Sequence, residues 1–428
     1  MLSKQEPKGT KDWFPDEFKI RQTIFSTWRQ VCERYGFLEY LTPLVESAEV
    51  YRAKSGEDVG GKELVSFEDL GGRELSIRPE MTPSVTRMVA KIYNSTPKPI
   101  KYFSIANFMR NEKPQRGRNR EFWQLNCDIF GSDSINADIE AMQLALDLVL
   151  EFKPPTGSFV MYLNSRHLID DVLVLAGAEK LSSKDKIAVI RILDKWHKLT
   201  QKELIDKLKT AGLKDGGIKV LQNFISTTSL KDLVSKMPEL SDSQGFIELD
   251  VALEKLKSLG YQDLIEFNPT VIRGFDYYNG LVFEMFDKHK SNNRAMFGGG
   301  RYNGLAEIFG EKNFPAVGFA PGDETFRLFL ESWGLLPSLV TKDKLYFLPL
   351  LDKELELDTM KLASHLRLEG LNILTGLEVQ KIGKALEYAD KKGIDNVIIF
   401  AKEEKEAGIY KIKDMKSGKQ VDKKYKTK

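Results

Sequence analysis

The stretch FMRNEKPQRGRNREFWQLNCDIFG, Phe108 to Gly131, decides how this chain is to be folded. Its two ends are apolar and aromatic, and its middle holds Arg110, Arg116, Arg118 and Arg120 around Pro114 and Gly117. Strand-like runs joined by turn residues make a hairpin, so the segment reads as strand, cationic loop, strand. A guanidinium grips phosphate oxygens through paired hydrogen bonds and never loses its charge. Phe122, just after the loop, offers a flat face on which a base can stack. Charge alone leaves a plain alternative, a solvated basic loop.

The flanking sequence supplies the rest of a sheet. From Phe18 to Tyr35 apolar residues recur at helical spacing (Ile20, Ile24, Phe25, Trp28, Val31), and Gly36 follows where a helix stops. Phe37 to Leu41 reads as a strand closed by Pro43, which has no N–H for a ladder. Further short strands are expected at Leu64 to Phe67, Leu75 to Ile77, Ile100 to Ile105, Phe122 to Phe130, Leu281 to Phe286 and Ala316 to Ala320. Together they predict an α+β plan, an antiparallel sheet flanked by helices. Between them, residues 167–262 carry Lys- and Glu-rich helical faces broken at Gly212, Gly216 and Gly217, which predicts a helical insertion between two parts of one core, 1–166 and 263–336. Beyond Pro337 the pattern alternates strand (Leu345 to Pro349), helix (Leu357 to Glu369), strand (Asn372 to Thr375), helix (Val379 to Lys391) and strand (Asn396 to Phe400). That order predicts a small α/β domain over 341–428 with parallel pairing.

Composition narrows the function classes. A chain of 428 residues exceeds the size of one core. Its 64 Lys and Arg against 62 Asp and Glu leave a formal charge of +2, so any nucleic-acid site must be local. Cys32 and Cys127 are too far apart for a CxxC pair and the four histidines are scattered, which argues against zinc. The first residues carry no apolar leader, and nowhere do about 18 apolar residues run together. A cytoplasmic protein without membrane contact is expected. The lysine-rich tail (Lys411, Lys413, Lys416, Lys419, Lys423, Lys424, Lys426, Lys428) reads, by charge alone, as a solubilising disordered end.

Three more segments are dense in Gly, Arg, turn residues and aromatics. They are IRPEMTPSVTR (Ile77 to Arg87), RGFDYYNGLVFE (Arg273 to Glu284), and FGGGRYNGL (Phe297 to Leu305) followed by PAVGFAPGDETFRLFL (Pro315 to Leu330). Each has a plain reading as helix cap, edge strand or tight turn, and the triple glycine lacks the GK[ST] ending of a P-loop. Four in one chain are harder to dismiss.

Taken together these segments resemble the class II aminoacyl-tRNA synthetases, and within them the histidyl-tRNA synthetase family. Phe18 to Pro43 is similar to motif 1, the dimer-forming element, Phe108 to Gly131 to motif 2, and Pro315 to Leu330 to motif 3. RGFDYYNGLVFE and GGGRYNGL resemble the two signatures peculiar to the histidine enzyme, and PKGTKDWFP, KLYFLPL and LEYADKKG also look like this family.

The resemblance implies a reaction and a set of roles. L-histidine, ATP with Mg²⁺ on its phosphates, and histidine tRNA would be the substrates, the protein a homodimer, and 341–428 the anticodon-binding domain. Arg110 would hold the histidine carboxylate and the α-phosphate, and Arg273 would neutralise the transition state from the opposite side. Arg118 would meet the γ-phosphate, Glu112 the adenine amino group and Phe122 the adenine face. Asp128 and Tyr278 would read the imidazole, with Tyr277 beside them, while Glu80, Thr82 and Gln124 hold the amino group and backbone. Two departures stand out: Thr325 occupies the place of the usual motif 3 arginine, with Arg327 two positions on, and Asp128 stands where many members carry glutamate. The nearest rival is the histidine-sensing regulatory subunit of ATP phosphoribosyltransferase. Others are a different class II synthetase, such as the threonine, proline or glycine enzyme, and a tRNA-binding module without chemistry.

Overall fold

The computed structural model describes residues 3–425 apart from 54, 57, 195, 197, 198, 273–276, 293 and 338–343. The chain divides into two units, Met1–Ser338 and Leu339–Lys428.

In the first unit the strands run β1 Leu38–Glu39, β2 Val45–Ser47, β3 Val65–Glu68, β4 Glu74–Ile77, β5 Ile100–Met109, β6 Glu121–Phe130, β7 Phe159–Ser165, β8 Ile265–Phe267, β9 Leu281–Asp287, β10 Arg294–Arg301 and β11 Ala316–Phe319. The helices are α1 Pro15–Arg34, α2 Ala48–Arg52, α3 Thr82–Ala90, α4 Ile135–Leu150, α5 Arg166–Leu175, α6 Ser183–Asp194, α7 Gln201–Thr210, α8 Asp215–Ile225, α9 Leu230–Lys236, α10 Gln244–Leu256 and α11 Asp323–Ser332. Eight strands form one sheet in the order β1-β5-β6-β11-β10-β9-β7-β8. Its inner pairs are antiparallel, and only the outer pairs β1/β5 and β7/β8 run parallel.

Strand alternation decides which side carries chemistry. On β6, Leu125, Cys127 and Ile129 point into a large apolar cluster beneath α1, α4 and α11, where Trp28 meets Phe326 edge-on with ring centres 5.1 Å apart. The intervening Gln124, Asn126 and Asp128 point to the other face, where Met81, Val85, Phe108, Phe130, Tyr277 and Tyr302 form a second cluster. Helix α1 buries Arg21, Ile24, Trp28, Val31 and Cys32, the stripe its periodicity predicts. Cys32 and Cys127, 95 residues apart in sequence, meet in the first core with sulfurs 3.5 Å apart and both thiols free.

Several expectations need correction. The runs near Leu64 and Leu75 do not join the main sheet; with β2 they make a separate three-stranded sheet in the order β2-β4-β3. Phe297 to Arg301 is not a turn but the end of β10. Its glycines are required by neighbouring backbone: a Cβ on Gly299 would lie 2.3 Å from the Gly318 carbonyl oxygen, and one on Gly300 2.6 Å from that of Leu281. Strands β7 and β8 bracket the helical stretch α5–α10 and gave no distinct sequence signal.

The second unit holds β12 Leu345–Leu350, α12 Glu356–Leu368, β13 Asn372–Val379, α13 Ile382–Lys391, β14 Asn396–Ile399, α14 Lys402–Glu406, β15 Ile409–Asp414 and β16 Gln420–Lys424. β12 pairs in parallel with β13 and β14, as the alternation predicts. The segment from Val379 that reads as helix remains strand at its first residue, and α13 starts only at Ile382. The described part of the lysine-rich tail is folded rather than disordered: Lys411, Lys413, Lys423 and Lys424 sit on the β15/β16 hairpin that completes the sheet, while Lys426 and Lys428 lie outside the described residues. Tyr410 and Ile412, which face the domain core in alternation with Lys411 and Lys413, supply the period of two that overrides charge.

Candidate functional site

The predicted hairpin is β5/β6, paired residue for residue from Ile100↔Phe130 to Met109↔Glu121. Its loop is pinned rather than loose. The Arg120 and Glu121 amides both donate to the Gly9 carbonyl, at 2.7 and 3.2 Å, so the N-terminal PKGT segment seals the base of the loop. Arg110, at the end of β5, donates through Nε to the Pro79 carbonyl at 2.9 Å, and its guanidinium carbon lies 5.0 Å from the Phe122 ring centre. Phe122 is itself stacked on Phe108 at 5.7 Å. The ring and the cation therefore hold each other in place.

Around Arg110 the sheet opens into a cavity lined by Glu80, Thr82, Gln124, Asn126, Asp128, Tyr277, Tyr278 and Tyr302, with Gly298 and Gly318 in its wall. These come from the turn before α3, from β6, from the segment ahead of β9, and from the end of β10. Tyr277 donates its hydroxyl to Glu80 Oε2 at 2.9 Å, and Gln124 Nε2 donates to the Ala320 carbonyl at 3.2 Å. Asp128 Oδ1 accepts a short hydrogen bond from the Tyr302 hydroxyl. Asp128 lines this cavity, and its Oδ2 is buried without a hydrogen-bond partner among the described residues. Burial pushes the Asp128 carboxyl up to about 7, a rise that the Tyr302 bond reduces and the nearby Glu80 charge increases. Burial also raises Glu80, against the pull of Arg110 and Tyr277. Two carboxylates in one buried pocket, each with an oxygen that has no hydrogen-bond partner among the described residues, form a receptor for N–H donors.

A second cleft continues from Arg110 and Gln124. It is lined by Glu112, Gly117, Arg118, Phe122, Glu284, Arg294, Asp323 and Thr325, among others. Arg118 lies 3.6 Å from Glu112, with a side chain 60% exposed. Thr325 turns its hydroxyl to the Met296 carbonyl at 2.8 Å, while Arg327 is engaged by Glu324 and Glu331 along α11. Asp323, raised to about 6 by burial, receives the Trp123 amide at 3.0 Å and an ion pair from the buried Arg21 of α1. Arg21 in turn lies flat against Trp13 at 3.4 Å. The N-terminal helix thus holds the start of α11 at the cleft.

Of the residues expected at the site, Glu80, Thr82, Arg110, Gln124, Asp128, Tyr277 and Tyr278 line the first cavity, and Glu112, Arg118 and Phe122 the second, with Arg110 and Gln124 in both. Arg273 lies outside the described residues. The sequence reading missed Tyr302, Asn126 and Arg294. Tyr302 stood in plain view within FGGGRYNGL, where the glycines drew attention away from it; Arg294 carried no motif at all.

Known proteins share this sequence pattern and this fold. The family model for histidyl-tRNA synthetase matches residues 9–323, and that for the anticodon binding domain matches 341–427. The histidine–tRNA ligase of Leptospira biflexa is 38% identical over 97% of this chain and 94% of its own length. That of Pyrococcus horikoshii is 39% identical over 97% and 95%. Among solved structures, histidyl-tRNA synthetase from Nostoc sp. PCC 7120 superposes with a TM-score of 0.75 at 25% identity, covering 99% of this chain and 97% of that one. A Bacillus halodurans structure described as an ATP phosphoribosyltransferase regulatory subunit/histidyl-tRNA synthetase shares the fold at a TM-score of 0.73 and 20% identity, over 93% and 98%. With a hairpin, a two-part cleft and a family match that spans both, the chain belongs to the histidyl-tRNA synthetase family.

Proposed function

We propose that this protein ligates L-histidine to the 3′ end of its cognate tRNA, using ATP and passing through histidyl-adenylate. The observation that carries this reading is the continuity of the two cavities through Arg110, so that an amino-acid carboxylate and an α-phosphate can meet at one guanidinium. A carboxylate oxygen attacks the α-phosphorus, the bond to the bridging oxygen breaks, and pyrophosphate leaves. No proton need be taken, so charge neutralisation and alignment do the catalysis. A terminal ribose hydroxyl of the tRNA then attacks the activated carbonyl, and AMP leaves.

In this reading Arg110 grips the histidine carboxylate and the α-phosphate, and Arg273 opposes it across the reacting centre. Phe122 stacks on adenine, Glu112 accepts from its amino group, and Arg118 meets the γ-phosphate. Mg²⁺ enters with ATP as part of the substrate. The open Asp128 Oδ2 accepts an imidazole N–H, and the Tyr278 hydroxyl serves the other ring nitrogen. Glu80, steadied by Tyr277, receives the amino group with Thr82 and Gln124. A pocket that pairs both ring nitrogens rejects side chains without them by roughly 10⁴ or more.

The family's partners complete the proposal. Residues 341–428 bind the anticodon stem and 167–262 act as the inserted helical domain. Leu38 on the edge strand β1, Leu41 and Leu44 in the connection that follows, and Val45 at the start of β2 are all exposed, which favours a second copy of the chain docking there as a homodimer. Among the described residues no helix is long and apolar enough to cross a membrane, and a translation enzyme of this kind works in the cytoplasm. The decisive experiment is ATP–pyrophosphate exchange with each of the twenty amino acids and an Arg273→Ala control. Exchange with histidine alone, abolished in the control, is expected. Folded protein that binds histidine yet gives no exchange would overturn this reading in favour of a histidine-sensing regulator.

A further inference from the structure

Arg294 opens β10 on the nucleotide side of the sheet, and no role has been given to it above. It lines the same cleft as Phe122, Arg118 and Thr325. Its one side-chain hydrogen bond among the described residues is from Nη1 to the Arg116 carbonyl at 2.6 Å. Arg116 answers across the gap, donating from its own Nη1 to the Ser291 carbonyl at 3.3 Å. The cationic loop and the β9–β10 connection therefore clasp each other reciprocally. The approach is close: a Cβ on Gly117, at φ +75°, would sit 2.9 Å from Arg294 Nη1 and 3.0 Å from Leu328.

This clasp gathers three guanidiniums, those of Arg116, Arg118 and Arg294, at one end of the cleft. Burial, and after it the nearby charges of Arg118 and Arg116, make the Arg294 charge harder to hold. Glu112 beside Arg118 is the one carboxylate that forms an ion pair with any of the three among the described residues. Like charges crowded into a half-buried cleft cost free energy unless an anion arrives to offset them. The fork of Arg294 spends one N–H on a carbonyl and keeps the others for that anion. Thr325, which lines the same cleft, brings no charge, and its hydroxyl is committed to the Met296 carbonyl.

We infer that Arg294 is an ATP-binding residue, gripping the terminal phosphates together with Arg118 and closing the Arg116 loop over the departing pyrophosphate. This rests on the proposed adenylate-forming function. Were Arg294 only a tether for the loop, its loss would disturb the Phe122 shelf and weaken every adenine nucleotide alike. As a phosphate ligand it acts on ATP and not on AMP, which lacks the β- and γ-phosphates.

The experiment is titration calorimetry of MgATP and of AMP on the full chain and on Arg294→Ala and Arg294→Lys. The expected result is a loss in ATP affinity of about tenfold or more in Arg294→Ala, with AMP unchanged within about twofold. Arg294→Lys should recover part of the loss, as a charge without the fork. Equal weakening of ATP and AMP, or no change in either, overturns the inference. If the unaltered protein exchanges pyrophosphate with histidine while Arg294→Ala binds ATP normally, the inference alone fails. If the unaltered protein binds no ATP, the proposed function fails with it.

Discussion

The two halves of the cleft are built from the same residue classes but to different rules. On the amino-acid side Glu80 and Asp128 are each 3% exposed, lie on or beside sheet strands, and are held by Tyr277 and Tyr302. On the nucleotide side Arg118 is largely exposed and sits in a loop, with mutual clasping in place of burial. In the proposed reaction the first half discriminates, because a buried polar group left unpaired is costly. The second attracts, because a polyanion needs many cations more than it needs a fixed template. A synthetase needs both, since one substrate must be told from nineteen near relatives and the other need only be held in line.

The comparison breaks most severely at Arg110, which belongs to both halves. Arg110→Ala should lower single-turnover adenylate formation by about 10³-fold or more, even with both substrates saturating. Full recovery on raising ATP or histidine alone would mean that Arg110 serves one half only.

Asp128→Asn should act on one half and leave the other untouched. The histidine KM is expected to rise about 10²-fold while the ATP KM stays within about twofold. In the unaltered protein the histidine KM should itself climb as pH falls below about 7, because protonation removes the acceptor. The same residue sets a stability cost. Its carboxyl is raised by burial above the unfolded value, so ionisation disfavours the fold, and the penalty grows as pH rises from about 4 and is complete above about 7. Asp128→Asn should therefore melt later than the parent at pH 8, by at most about 4 kcal/mol, with the gain fading toward pH 4. A variant less stable at pH 8 would show that Asp128 is held by partners rather than strained by burial.

The smallest effect should come from Tyr302→Phe, which removes one hydrogen bond from Asp128 Oδ1 and no ring packing. A histidine KM about fivefold higher is expected. Because that bond favours the carboxylate, its loss should also move the pH at which KM begins to climb to a higher value. An unchanged pH profile would demote Tyr302 to a packing role.

These residues also mark how far the sequence could be read. Arg110, Phe122 and Asp128 were legible because one hairpin carries all three, and hairpin pairing is a local property. The helix over α1 was legible from its stripe. Tyr302 was not, because its partner lies 174 residues away and nothing within FGGGRYNGL points to a carboxylate. Arg294 was hidden for the same reason: its value comes from a loop 178 residues earlier. The meeting of Cys32 with Cys127 and the separate β2-β4-β3 sheet are likewise products of tertiary packing. The lysine-rich hairpin was misread because composition was weighed ahead of strand alternation.

Glycines 298 and 318 belong to the wall of the proposed histidine pocket, and a Cβ on Gly318 would lie 2.1 Å from Asp128 Oδ1. Part of that wall is consequently made of main chain, which substitution cannot edit; it can only be obstructed. Sequence drift can rework the shell around the pocket, residue by residue, while this portion of its outline passes unaltered from one generation of the gene to the next. An engineer seeking a wider amino-acid diet for the enzyme would, at Gly298 and Gly318, have to move strands β10 and β11 themselves, for those two positions offer no side chain to trim.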